Sequence, residues 1–143
     1  MHTLVAATVA RTDDDVLLVE EGKEAVRGTW NLPGGRVEAG EDPRETAARE
    51  FTEEVGVDVE LTGLVGVYLG RDAFVDGPFL SVTYLGQVSE EPRAVATDSV
   101  AAARWIDRDR LDELALRSPY VSRAIHDADE RTFPTTVVRS IPE

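Results

Sequence analysis

The chain has 143 residues, the length of about one domain, and its 42% hydrophobic and 30% charged residues are ordinary for a chain with a packed core. Its formal net charge is −13, because 28 acidic side chains outnumber 15 basic ones. That charge excludes a surface that binds a nucleic acid polymer, since such a surface would repel the phosphates. We therefore expect a single domain over residues 1–143, whose ligand is small. A phosphorylated ligand is still allowed if a divalent cation neutralises both partners.

The lack of cysteine and the scarcity of histidine limit the possible metal sites and nucleophiles further. The chain has no cysteine, and only His2 and His126 carry an imidazole. Disulfides, thiolate zinc sites, a cysteine nucleophile and a multi-histidine metal site are therefore excluded. A bound metal would need oxygen ligands, which are the ligands that Mg²⁺ and Mn²⁺ prefer.

The basic residues are unusual in kind, because Lys23 is the only lysine. An acidic excess with almost no lysine resembles proteins from salt-loving organisms, since high salt screens the self-repulsion of such a surface. The alternative is an acidic protein encoded by a GC-rich genome. The apolar run at 4–10 is far shorter than the roughly 18 residues of a membrane span, and no basic residue precedes it as in a signal peptide. We expect a halophilic, cytoplasmic protein that makes no membrane contact.

The pattern of apolar and turn-forming residues predicts the following elements in chain order. Strands are predicted at 4–10, 16–19, 57–69, 79–88 and 103–106, with a turn at 13–15 and a polar loop at 20–28. Helices are predicted at 43–55, 107–115 and 118–128. This order indicates an α+β fold with a mixed sheet between helices.

The helix at 43–55 has the clearest boundaries. Asp42 is a good N-terminal cap, Pro43 occupies the first helical position, and Gly56 follows the last turn. With about 100° per residue, an apolar group would face the sheet. That group consists of Ala48, Phe51 and Val55.

The same helix carries a compact group of carboxylates on another side. Glu50, Glu53 and Glu54 fall within about 100° of one another. A solvated acidic face is the ordinary interpretation of such a group, because charged helix faces are common. Three carboxylates this close repel one another unless a positive charge lies among them. Arg49 precedes Glu53 by four residues and can pair with it.

The segment before the helix favours a site over a solvated face. Leu32-Pro33-Gly34-Gly35 predicts a tight turn that exposes backbone groups. Gly35 is followed after five residues by Glu41 and, after seven more, by the run from Arg49 to Val57, REFTEEVGV. This spacing resembles the Nudix box of the Nudix hydrolase family, and every fixed position of its 23 residues is filled. The lead-in at 30–34 and the segment at 104–107 are also similar to that family, so the resemblance covers about residues 4–128.

The resemblance implies an α/β/α sandwich with a mixed central sheet, and hydrolysis of a nucleoside diphosphate linked to another group, X, with Mg²⁺ or Mn²⁺. By position, it implies that Glu50 and Glu54 bind metal, with Glu53 as a further ligand or as the base that orients water. It also implies a Gly35 carbonyl ligand and an Arg49 that holds the glutamates. The catalytic residues would be Glu53, Glu50 and Arg49, while Glu41 would support the junction between the turn and the helix.

The sequence indicates the functional roles of residues outside the box less clearly. Asp98 is the only acid just before the strand that contains Trp105, where many family members place a further glutamate; as an alternative, it caps a turn. For substrate contacts, the sequence offers aromatic rings and arginines whose ordinary roles are core packing and surface pairing. We predict contacts from Arg27, Trp30 and Phe79, and consider Arg36, Arg71, Phe74 and Tyr84 as further candidates.

Two functions remain open at this point. The first is a pyrophosphohydrolase, whose substrate is a nucleotide sugar, a dinucleotide or a nucleoside di- or triphosphate. The segment at 116–121 is weakly similar to the branch that acts on nucleoside di- and triphosphates. The second is a nucleotide-binding sensor with the same fold and no turnover, although such modules usually lack one of the glutamates. A homodimer is compatible with both functions.

Overall fold

The computed structural model describes residues 3–71, 78–93, 97 and 99–142. Its strands are β1 Thr3–Ala10, β2 Asp15–Glu21, β3 Trp30–Asn31, β4 Gly34–Arg36, β5 Glu60–Arg71, β6 Pro78–Gln87 and β7 Val100–Asp107. Its α-helices are α1 Pro43–Val55 and α2 Pro119–Glu130, and three short 3₁₀ helices are Glu24–Val26, Arg108–Glu113 and Thr135–Val137. Among the described residues, no helix is long and apolar enough to cross a membrane.

The strands form two sheets that lie between the α-helices. Four strands pair in the order β4-β1-β6-β5, with β1 parallel to β6 and the other pairs antiparallel. Three strands pair in the order β3-β2-β7, all antiparallel. The predicted α+β sandwich with mixed strand pairing is confirmed, and the strands divide into a mixed sheet and a smaller antiparallel sheet.

Helix α1 begins and ends where the sequence predicts. The Asp42 carboxylate accepts a hydrogen bond from the Arg44 N–H at 3.0 Å, and Gly56 ends the helix at φ 81°, with its N–H on the Thr52 carbonyl. Phe51 and Val55 are fully buried on this helix, as predicted. Ala48 is only partly buried, and Ala47 takes its place in the core, because the buried side of the helix also includes Thr46.

The two sides of the sheets have separate cores. Phe51 and Val55 pack with Leu17 and Val19 of β2 on the α1 side. On the opposite side, α2 packs against apolar residues of β1, β2 and β5, which are Ala7, Val9, Val16, Leu18 and Val65. Successive residues of β2 therefore point to the two helices in alternation.

Some predicted boundaries are wrong. The strand expected from residue 57 begins at Glu60, and the loop expected at 20–28 contains the end of β2 and a 3₁₀ helix. The helix expected at 107–115 is a 3₁₀ helix, Arg108–Glu113, with no buried residue. Its Leu111 packs only partly buried against the core, which is little apolar contact to stabilise a longer α-helix. The segment before α1 was expected to be a turn alone, and it also forms the short strands β3 and β4.

Candidate active site

A pair of glycines brings the backbone against the carboxylates of α1. The N–H of Gly34 donates a hydrogen bond to Oε1 of Glu54 at 2.8 Å. A Cβ atom on Gly35 would collide with the carboxylate of Glu50. A Cβ atom on Gly34 would collide with the backbone of β1 at Ala6 and Ala7. Because neither position has room for a side chain, only two glycines allow this close approach of strand and helix.

Arg49 links the acidic residues around the start and middle of α1. Its Nε and Nη2 donate to the two carboxylate oxygens of Glu41 at 2.8 and 3.0 Å. Its Nη1 donates to Glu50 at 3.1 Å and to Glu53 at 3.3 Å. These hydrogen bonds hold the pKa of Glu41 at about 2, with the Arg49 side chain as the main cause and the Glu38 N–H as the next. Arg49 pairs with Glu53 as the sequence predicts. The contacts of Glu41 are compatible with its predicted role of supporting the junction between the turn and the helix.

The two carboxylates next to the glycines have raised pKa values. Burial is the main cause for Glu54, and it raises the pKa to about 8, although the Gly34 N–H opposes the rise. Burial is also the main cause of the raised pKa of Glu50, opposed by Arg49 and increased by the charge of Glu53. Burial thus disfavours the ionised form of both carboxylates at this point of the molecule. A cation bound there would favour the ionised form and so oppose both shifts.

The three glutamates differ in their exposure to solvent. The side chain of Glu50 is 19% exposed and that of Glu53 is 55% exposed, whereas Glu54 is partly buried. Glu53 therefore presents the most accessible carboxylate, with Arg49 limiting its movement. An exposed carboxylate of this kind can accept a proton from a water molecule or contact a bound ligand.

The donor chemistry fits a hard divalent cation. Carboxylate oxygens of Glu50 and Glu54 lie against the Gly34–Gly35 backbone, Glu53 shares Arg49 with Glu50, and hard cations prefer such oxygen ligands. Within the described ranges, however, no three histidine, aspartate or glutamate side chains are already arranged to hold an ion. The carboxylates are instead paired with Arg49 and with a backbone N–H, so ion binding requires some of these contacts to be exchanged.

Two residues beside the site were missed in the sequence. Asn31 donates from Nδ2 to Oε1 of Glu21 at 3.1 Å and accepts from the Leu32 N–H at 2.8 Å. Glu21 also contributes, after burial and Glu50, to the raised pKa of Glu54. Glu21 belongs to a run of polar residues that looks like a loop. The one sequence feature that could have indicated this contact is the amide side chain of Asn31, three residues before Gly34.

A cavity adjoins the glycine turn and holds one of the three predicted substrate residues. Its volume is about 160 Å³. Asn31 and Arg36, which flank the two glycines, line it together with Phe79 and Tyr120. The rings of Phe79 and Tyr120 meet edge to face, with centroids 5.6 Å apart. Phe79 thus lies in a cavity beside the glycine turn whose described lining contains no carboxylate, with its ring packed on that of Tyr120.

The other two predicted substrate residues lie elsewhere. Trp30 packs against the core on the α2 side, and its carbonyl accepts the Arg117 N–H at 2.8 Å. Arg27 is exposed beyond the first 3₁₀ helix. The roles of both in substrate binding stay predictions. Asp98 and Phe74 lie outside the described residues.

Comparison with known proteins identifies the family. The family model described as NUDIX domain matches residues 1–126. A MutT-like protein of Streptomyces ambofaciens is 45% identical over 79% of this chain and 69% of its own length. The ADP-ribose pyrophosphatase of Methanocaldococcus jannaschii is 32% identical over 80% of this chain and 68% of its own length. The human 8-oxo-dGDP phosphatase NUDT18 is 34% identical, but the chain spans only 33% of its length.

Solved structures agree with this comparison. A NUDIX hydrolase from Nitrosomonas europaea has a TM-score of 0.89 and 27% identity, and the similarity covers 99% of this chain and 98% of that one. The fold and the site thus define a protein of the Nudix hydrolase class. The chain belongs to the NUDIX domain family, and the predicted class of pyrophosphohydrolase is confirmed at that level.

Proposed function

We propose that the chain hydrolyses a phosphoanhydride bond in a nucleoside diphosphate linked to a group X, with Mg²⁺ or Mn²⁺ as the cofactor. The observation that carries the proposal is the pair of carboxylates, Glu50 and Glu54, packed against the two glycines, where burial raises the pKa of both. Glu50, Glu53 and Glu54 would hold the cation together with the Gly35 carbonyl. The names of its relatives, which include pyrophosphatases and diphosphatases, support the same reaction class.

Each residue has a defined task in this proposal. A bound divalent cation offsets the charge of the diphosphate and lowers the pKa of a water molecule. Glu53, as the most exposed carboxylate of the three, accepts the proton of the attacking water. Arg49 keeps Glu53 and Glu50 in place through one guanidinium group. Phe79 contacts the base or the X group in the cavity beside the turn.

The substrate is a small nucleotide rather than a polymer. The net charge of −13 disfavours long nucleic acids, whereas the relatives are named for ADP-ribose and for an oxidised guanine nucleotide. A nucleotide sugar, a dinucleotide and a nucleoside di- or triphosphate all contain the required anhydride bond. We retain cytoplasmic location, halophilic origin and a homodimer as predictions.

The reaction is tested with a panel of ADP-ribose, 8-oxo-dGDP, nucleotide sugars and dinucleotides, with products separated by chromatography. We expect turnover of at least one compound with Mg²⁺ or Mn²⁺ and none in excess EDTA. Glu53→Gln and Glu54→Gln should each lower kcat by about 100-fold or more. Glu45→Gln is the matched control, because Glu45 is an exposed glutamate in the first turn of the same helix.

Two results would contradict the proposal. Turnover that persists in both substituted proteins would remove the carboxylates from the reaction. Nucleotide binding without turnover of any compound in the panel would favour the sensor interpretation instead.

A further inference from the structure

Glu21 lies outside the Nudix box, and its strand directs it toward the site. Leu17 and Val19 of β2 pack on the α1 side, and Glu21 is the next residue of that alternating row. The register of β2 against β7 shifts at this point, because Glu20 pairs with Ala102 and Glu21 with Val100. The extra residue, Ala101, belongs to β7, so β2 keeps its alternation through Glu21. The Glu21 backbone is fixed as well, because its N–H donates to the Thr29 carbonyl at 2.8 Å.

A chain of hydrogen bonds connects Glu21 to the catalytic helix. Asn31 donates to Glu21 at 3.1 Å, and the Leu32 N–H donates to Oδ1 of Asn31 at 2.8 Å. Two residues later, the Gly34 N–H donates to Glu54 at 2.8 Å. Since an ionised carboxylate only accepts hydrogen bonds, Glu21 selects the amide orientation that turns Oδ1 toward Leu32. Loss of that contact removes the hydrogen bond that fixes the Nδ2 end of the amide and leaves the Leu32 N–H to hold its Oδ1 end.

We propose that Glu21 is a positioning residue, which acts through Asn31 to fix the turn at Leu32–Gly35 against the carboxylates of α1. The inference rests on the proposed function, because a fixed turn matters only if Glu50 and Glu54 bind a cation. It adds a residue from β2 to a site otherwise built from the turn and α1. The hydrogen bond to Asn31, rather than the charge of Glu21, carries the effect.

The kinetic test uses four variants and the compound of the panel that wild type hydrolyses fastest. Glu21→Ala and Asn31→Ala should each lower kcat by about tenfold, as is common for residues behind metal ligands, and change KM by less than about threefold. The double variant should be no worse than either single variant, since both remove one linkage. Glu21→Gln should stay within about threefold of wild type, because the amide oxygen still accepts from Asn31.

A matched control and a second readout separate positioning from folding and from activity. Glu20→Ala changes the neighbouring carboxylate of β2 and should leave kcat unchanged. Titration with Mn²⁺ alone, followed by electron paramagnetic resonance, should show about tenfold weaker binding for Glu21→Ala and near wild-type binding for Glu21→Gln. Thermal melting checks that each variant is folded, and Asn31→Asp, which places a second carboxylate against Glu21, serves if an alanine variant does not fold.

The outcomes distinguish this inference from the proposed function. If wild type hydrolyses nothing in the panel, the proposed function fails, and Mn²⁺ affinity still decides the role of Glu21. Equal losses in Glu21→Gln and Glu21→Ala would show that charge is what matters and would overturn the inference. Additive losses in the double variant, or wild-type kcat and Mn²⁺ affinity in Glu21→Ala, would overturn it too.

Discussion

Helices α1 and α2 begin with the same kind of sequence features and lie on opposite sides of the sheets. Each begins with a capping side chain followed by proline, Asp42-Pro43 in α1 and Ser118-Pro119 in α2. They have 13 and 12 residues, and each buries an apolar face. Local sequence rules therefore treat the two helices as equivalent.

The surroundings of their charged residues make the two helices different. On α2, Arg123 pairs with Asp127 at 3.3 Å and His126 lies 3.5 Å from Glu130, one turn apart in each case, and Asp127 also accepts a hydrogen bond from the Tyr68 hydroxyl at 2.7 Å. On α1, the carboxylates face two glycines and share one arginine. A charged helix face thus becomes a candidate site where a backbone turn packs against its carboxylates, whereas the charged groups of α2 pair along the helix.

The largest expected effect comes from filling the space between the turn and α1. Gly35→Ala places a Cβ atom on the carboxylate of Glu50, so that carboxylate must move away from the turn. Because a displacement of about 1 Å can cost about 100-fold in rate, we expect kcat to fall by that order. Steady-state kinetics on the best nucleotide of the panel, with Mn²⁺ affinity in parallel, measures the effect.

The corresponding change on α2 provides the comparison. Arg123→Gln breaks the pairing with Asp127 and should leave kcat within about twofold of wild type. Gly35→Ala with normal kcat and Mn²⁺ affinity would show that the turn is not part of the site. Circular dichroism should confirm that both proteins remain folded.

The sequence predicted the helix that carries the candidate site and the pairing of Arg49 with Glu53, because the information for both is local. The roles of the site residues stay predictions. Asp42, Pro43 and Gly56 define the helix within one segment, and the spacing of Glu50, Glu53 and Glu54 follows from helical geometry. The contacts of Arg49 with its neighbours follow from the same geometry. These features needed no knowledge of strand pairing.

What the sequence did not show depends on contacts between distant segments. Glu21 reaches the site because β2 pairs with β3 and continues past an extra residue, Ala101, in β7, and neither feature has a sequence signal that is distinguishable from a polar loop. Phe79 meets Tyr120 across 41 positions of the chain because β6 and α2 pack together. The 3₁₀ helix at Arg108–Glu113 was mistaken for an α-helix, since its cap is normal and only its lack of buried residues distinguishes it.

A second prediction concerns pH and cation binding. Burial raises the pKa of Glu54 to about 8, so its carboxyl group is largely protonated at neutral pH before a cation binds. Binding must expel that proton, and Mn²⁺ affinity should therefore rise with pH up to about 8 and then level off. Calorimetry in buffers of different ionisation enthalpy should detect proton release. Glu54→Gln should bind Mn²⁺ more weakly and without that release, and an unchanged release would contradict the assignment.

A third prediction compares the two caps. Asp42→Ala should cost about 1–2 kcal/mol of unfolding free energy, because Asp42 caps α1 and also accepts the Ser140 N–H at 3.1 Å. Ser118→Ala should cost about 1 kcal/mol or less, since its cap hydrogen bond is longer at 3.2 Å. Denaturant unfolding monitored by circular dichroism measures both changes. Equal losses of unfolding free energy in the two variants would show that the contact between Asp42 and Ser140 adds nothing to stability.

The cap of α1 should also depend on pH in a defined direction. Mainly through the side chain of Arg44, the pKa of Asp42 is lowered from 3.8 to about 2. Between these values the unfolded chain binds more protons than the folded one. The stabilisation is therefore fully present above about pH 4 and is lost as the pH falls through about 2. The Asp42→Ala protein should lack this part of the acid dependence, which Ser118→Ala should retain.

The smallest effect is expected from salt, which should act on α2 more than on α1. Arg123 is 68% exposed, and its pairing with Asp127 is worth about 0.5 kcal/mol or less, so the loss from Arg123→Gln should fade as KCl is raised. Wild type should nevertheless gain stability with KCl, because screening reduces the self-repulsion of a chain with net charge −13. Thermal melting of both proteins across a KCl series measures the two trends. A melting temperature that falls with salt would contradict the halophilic prediction, since repulsion would then not be what limits stability.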